Sequence, residues 1–153
     1  MPGLQASWTN GVDVALEANN LSALRQGFGT TLRPSPGNTS GWVHFAIPTP
    51  VILNNVRVKA GQALVRFTTG PQGSIGAFHV YDGETKIAQE NGLDLTGTLQ
   101  VATQQLGRPE VLWGTGISLL VNFNGTGPDA WVQVIAAGID FFDVSDFVLF
   151  NGK

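Results

Sequence analysis

Short runs that alternate apolar with polar residues, or stay apolar for five to nine positions, recur about every 10 to 20 residues along this chain and stop at Gly, Pro, Asn or Asp. Rich in Val, Ile, Phe and Trp, such runs have the period of β-strands, whose successive side chains point to opposite faces. Strands are expected near Ser7 to Thr9, Val12 to Glu17, Trp42 to Ile47, Val51 to Lys59, Ala63 to Thr69, Ile75 to Tyr81, Glu84 to Gln89, Thr98 to Ala102, Gly116 to Phe123, Trp131 to Ile139 and Phe147 to Phe150. Leu21 to Gln26 is the single helical candidate, one turn capped by Asn20 and ended by Gly27 and Gly29. Without amphipathic helices between them, these strands must pair antiparallel, because parallel neighbours need longer crossovers. The expected fold is all-β: a single-domain antiparallel β-sandwich, jelly-roll-like, over residues 1–153. Pro48 and Pro50 mark a corner, since proline cannot donate to a central ladder, and Gly29 to Gly41 forms the longest loop.

Composition supports one core and removes several kinds of chemistry. In 153 residues, 42% hydrophobic content suffices for a continuous core. Eight basic against eleven acidic residues, with no run of like charge, leave no footprint for a phosphate backbone, so nucleic acid is not expected as a partner. The absence of cysteine excludes disulfides, thiolate catalysis and Cys-ligated metal. The amino terminus, MPGLQASWTNG, has neither a basic nor an apolar leader region, and no apolar run approaches the roughly 18 residues of a membrane span. As written, the chain is expected to be soluble and cytoplasmic, with secretion left open.

Two stretches concentrate candidate binding groups. In GAFHVYDGETKIA, Asp82-Gly83 between alternating runs predicts a two-residue hairpin turn. Tyr81 then faces Glu84, Val80 faces Thr85, His79 faces Lys86 and Phe78 faces Ile87. Phe78, Val80 and Ile87 share the core face; His79, Tyr81, Glu84 and Lys86 share the other, and Asp82 is a turn residue. In GWVHFAIP, Trp42 and His44 likewise oppose Val43, Phe45 and Ile47. In one sheet, Trp42, His44, His79 and Tyr81 would make an aromatic and polar surface suited to sugar rings, whose apolar faces stack on indole and phenol. The other reading of the same residues is a solvated hairpin face, as alternation alone predicts, and a tryptophan covered by a loop or a neighbouring subunit.

Catalytic signatures are weak. Two histidines supply half a zinc or copper shell, without His-x-x-x-His or His-x-Glu spacing, so neither metal nor cofactor is expected. Asp140, Asp143 and Asp146 lack the order of a calcium loop. Ser118 lies inside a strand rather than at a nucleophile elbow. Gly114 and Gly116 read as a bulge or close backbone approach, lacking the third glycine and the helix of a dinucleotide site. At the carboxyl end, Phe147, Val148, Leu149 and Phe150 form an apolar run suited to an added or exchanged strand within 144–153, which points to a homo-oligomer.

The order SWTNG, GFGTTL, GWVHFAIPTPVIL, FHVYDG, LWGTGISLLVNF and VIAAGIDF resembles a family of small bacterial proteins of unknown function, over roughly residues 7 to 141. That resemblance implies a shared fold with both histidines in shared motifs, no activity, and a tail after Asp143 that is an extension. Taken together, the expected protein is not an enzyme but a binding module, lectin-like, contacting a glycan or other polar ligand through Trp42, His44, His79, Tyr81, Glu84 and Lys86. The alternative is a structural subunit assembling through its carboxyl-terminal strand, and a third reading is a metal-dependent enzyme using His44 and His79.

Overall fold

The alternating pattern is realised as thirteen strands in the computed structural model, which describes residues 3–143. They are β1 (Leu4–Asn10), β2 (Ala15–Leu16), β3 (Leu21–Gln26), β4 (Gly29–Pro34), β5 (Ser40–Ile47), β6 (Ile52–Leu53), β7 (Val56–Arg57), β8 (Lys59–Thr69), β9 (Gly73–Asp82), β10 (Thr85–Glu90), β11 (Gln100–Gln105), β12 (Thr115–Phe123) and β13 (Val132–Phe142). The first sheet runs β11-β8-β13-β4-β3, with β1 also paired to β13; the second runs β10-β9-β12-β5-β2. All pairs are antiparallel. Between the sheets, Val43, Phe45, Phe78, Val80, Ile117, Leu119 and Val121 meet Val65, Phe67, Val134, Ala137 and Ile139 in one buried cluster. Because side chains alternate, every second residue of these strands is left on an outer face. The expected all-β antiparallel sandwich is the observed fold.

Several local expectations are corrected. Leu21–Gln26 is strand β3 rather than a helical turn: six residues give too few helical hydrogen bonds to offset nucleation, and a turn at Gly27-Phe28 pairs Gln26 with Gly29 instead. The expected loop from Gly29 to Gly41 therefore begins as strand β4. Val12 to Glu17 is a 3-10 turn over Gly11–Asp13 followed by the two-residue β2. Val51 to Lys59 is broken into the β6–β7 hairpin by Asn54 and Asn55, both at positive φ, as a tight turn between right-twisted strands requires. Within β12 the pairing is in register through Gly116, and its irregularity lies at Leu120/Val121. Phe147 to Phe150, with the rest of the 144–153 tail, lies outside the described residues.

The hairpin turn is displaced by one residue. Asp82 pairs with Thr85, Tyr81 with Lys86 and, after a bulge, Val80 with Ala88 and His79 with Gln89. Gly83, at φ 56, and Glu84 form the turn, which suits a connection whose first central position must be glycine. Asp82 is not a turn residue because its buried carboxylate is used elsewhere. It accepts the backbone N–H groups of Leu112 at 2.7 Å, Trp113 at 2.9 Å and Gly114 at 3.0 Å, fastening the segment that leads into β12. Burial alone would raise the Asp82 pKa, but the hydrogen bonds from Gly114, Leu112 and Trp113 and the Arg57 charge outweigh it, holding the carboxyl below its ordinary range.

A depressed folded-state pKa adds stability that is present above the unfolded value of about 3.9 and is lost as pH falls through the lower folded value. Asp82→Ala should lower stability at neutral pH by about 3 kcal/mol, the cost of three unpaired donors. Urea unfolding should show the gap between variant and wild type beginning to close below about pH 4, where the unfolded carboxyl takes up its proton, and closing further toward the lower pH at which the folded carboxyl does so.

Candidate functional site

Strand β12 lies between β5 and β9, and its pairing decides what stands side by side on the outer face. Ser118 is opposite His44 on one side and His79 on the other; Gly116 is opposite Ala46 and Tyr81. The two histidines are thus two strand spacings apart, about 9.5 Å, with a serine between them. On the flank, Ala15 of β2 pairs with His44, and the Glu17 amide donates to the Trp42 carbonyl, which brings the Glu17 side chain beside His44. Lys86 closes the other flank opposite Tyr81.

Glu17, His44, Gly116, Ser118, His79, Tyr81 and Lys86, with Trp42, line an open cleft of about 510 Å³ that Phe45 and Ile117 also border. His44 Nε2 lies 3.0 Å from Glu17 Oε1 and His44 Nδ1 lies 2.7 Å from Ser118 Oγ. A carboxylate only accepts, so Nε2 carries the proton, and in the neutral ring Nδ1 accepts the Ser118 hydroxyl. His79 Nε2 donates to Asn91 Oδ1 at 2.6 Å. The Trp42 indole reaches over β12 to His79, with ring centroids 4.8 Å apart and planes at 49°. His79 is 8% exposed, whereas the His44 side chain is 38% exposed. One imidazole is therefore a covered support for the indole, and the other a half-exposed ring held at both nitrogens by Glu17 and Ser118.

Of the six residues singled out in the sequence, Trp42, His44, His79, Tyr81 and Lys86 line the cleft. Glu84 does not; it sits exposed in the turn with Gly83. Glu17, Ser118, Gly116 and Asn91 were not anticipated. Alternation alone could have found Ser118 and Gly116, since they oppose the Ile117 and Leu119 stripe, but nothing in the sequence places Glu17 beside His44. Among the described residues, no three of His, Cys, Asp and Glu come together as metal ligands. No helix of the described residues is long and apolar enough to cross a membrane.

The fold is similar to that of solved carbohydrate-binding modules. A low-affinity xylan-binding module of family 86 from Roseburia intestinalis superposes with a TM-score of 0.54 at 12% identity, covering 90% of this chain and 96% of that one. A family 35 carbohydrate-binding module from Clostridium thermocellum gives 0.51 at 9% identity, covering 88% and 97%. The chain itself belongs to a family of unknown function, DUF6623, whose model matches residues 1–145. No curated protein matches it.

The different burial of the two histidines has a measurable consequence. His79→Ala removes a ring packed on Trp42 and a partner of Asn91, and should cost about 1–3 kcal/mol in urea unfolding. His44→Ala, at a half-exposed position, should cost less than about 1 kcal/mol. A reversal of that order would mean that the Trp42–His79 contact does not hold the cleft together.

Proposed function

We propose that the protein is a non-catalytic glycan-binding module, and that the cleft over β5, β12 and β9 receives the sugar. The observation that carries this reading is the juxtaposition of a Trp42 indole, fixed by His79, with the outward hydrogen-bonding row of Glu17, His44 and Ser118. Pyranose rings present apolar C–H faces and polar rims, and this cleft offers both kinds of partner within one volume of small-ligand size. Its fixed charges are one carboxylate, Glu17, and one ammonium, Lys86, on opposite flanks. That balance suits a neutral polar ligand better than a phosphate or a polycation. The likeness of the fold to a module described as binding xylan agrees with this reading.

A Glu–His–Ser chain also invites a hydrolytic reading, which the backbone disfavours. Catalysis by Ser118 would need N–H donors free to hold an oxyanion, and β12 is paired on both sides through Thr115 to Leu120, so its amides are committed to the two ladders. Glu17 and Ser118 instead hold the His44 ring in one orientation through both its nitrogens, which leaves the remaining lone pairs of the exposed Glu17 carboxylate to meet a sugar hydroxyl.

On a broad glycan array the wild type should bind a restricted set of neutral oligosaccharides, and Trp42→Ala should weaken those hits by at least about ten-fold. Ser118→Ala should weaken them less, by roughly two- to five-fold, through loss of His44 orientation. An array with no hits, or with hits unaffected by Trp42→Ala, would reject the cleft as a glycan site.

A further inference from the structure

The outer face of the other sheet carries a second arrangement of flat rings around a polar row. A Cβ on Gly138 would collide with Cγ, Cδ2 and Cε2 of Trp8, so the indole lies directly over that glycine. Trp8 pairs with Gly138 in the ladder and remains 43% exposed. Phe142 repeats the device: a Cβ on Gly61 would meet its Cδ2 and Cε2 atoms, and the Arg108 guanidinium stands 4.7 Å above its ring. Between the two rings runs the row Ala6, Asp140, Gln62 and Gln105 across four paired strands. Gln62 Nε2 donates to Asp140 Oδ2 at 2.7 Å, and Gln105 Nε2 donates to Gln62 Oε1 at 3.2 Å. The amides and carboxylate hold one another in line, with Gln105 exposed, Gln62 and Asp140 half-buried, and lone pairs and protons left over from these bonds.

We infer that this face is a second glycan-binding surface, on which Trp8 stacks against a pyranose ring while Asp140, Gln62 and Gln105 meet its hydroxyls. Two features favour a sugar over a protein partner. Protein interfaces are depleted of charge at their centre, whereas here a carboxylate and two amides occupy the centre and the rings flank it. Glycine beneath Trp8 lets the indole lie close against the sheet while it stays 43% exposed, a posture suited to stacking on a sugar. The surface goes beyond the cleft and stands without it. Two faces on opposite sheets would make the module bivalent toward a polymer, raising apparent affinity without new contacts at either face.

The test is native affinity electrophoresis of the full chain in gels containing soluble xylan, laminarin or β-1,4-galactan. At least one polymer should retard the wild type, with retardation reduced about five- to ten-fold by Trp8→Ala and abolished by Trp8→Ala with Trp42→Ala. Gln62→Ala, which leaves the indole and its strand in place, should reduce retardation in the same gel and so separates binding from any folding defect of Trp8→Ala. If both Trp8→Ala and Gln62→Ala migrate as wild type in a gel that retards the wild type, the second face is overturned and the cleft reading stands. If Trp8→Ala abolishes retardation and Trp42→Ala leaves it intact, the second face stands and the cleft reading falls. A mass by light scattering that halves on Trp8→Ala, with retardation unchanged, would make the face a contact between copies and overturn the inference. Retardation by none of the polymers counts against both surfaces.

Discussion

The double pairing of β12 is the constraint on which the rest of the structure depends. Its inward residues, Ile117, Leu119 and Val121, are fully buried between the sheets, and a one-residue slip would turn that stripe to solvent. Burial therefore fixes its register against β5 and β9 together. Once that register is fixed, Ser118 can stand only between His44 and His79, and Gly116 only between Ala46 and Tyr81. The outer-face chemistry is a by-product of core packing carried through the pleat. Asp82 acts on the same strand from its entry, by holding the amides of 112–114 where β12 begins.

Much of this was legible in the sequence because alternation is a local property. The opposition of Trp42 and His44 to Phe45, and of His79 and Tyr81 to Phe78 and Val80, follows from period two alone. What alternation does not carry is the order of strands in a sheet. The histidines could be judged outward, but their separation by β12, and hence the role of Ser118, required the pairing. Glu17 was beyond reach for the same reason: β2 has two residues, and its place at the edge beside β5 is a tertiary fact.

The misread elements have physical causes of the same kind. Leu21 to Gln26 is built of good helix formers, yet pairing along β4 gives each residue a ladder partner that an isolated helical turn could not supply. Asp82-Gly83 is the stronger textual hairpin signal, but the strand keeps Asp82 because its carboxylate satisfies three amides, leaving Gly83 to take the positive φ. In the first case a hairpin ladder, and in the second hydrogen bonds to amides some 30 residues away, overrode a local preference. The glycines under Trp8 and Phe142 show the converse: small residues that look like weak points of a strand are places where an aromatic ring lies on the sheet.

The central claim is that the outer face of β5, β12 and β9 is where a neutral sugar binds. Mapping amide and tryptophan indole chemical shifts during titration with a neutral oligosaccharide selected from the glycan array tests this most directly. The account predicts that the largest shifts fall on the Trp42 indole and on the amides around His44, Ser118, His79 and Tyr81, with the core stripe of β12 little changed. Saturable shifts confined to the loops at the ends of the sandwich, leaving these residues unmoved, would contradict it.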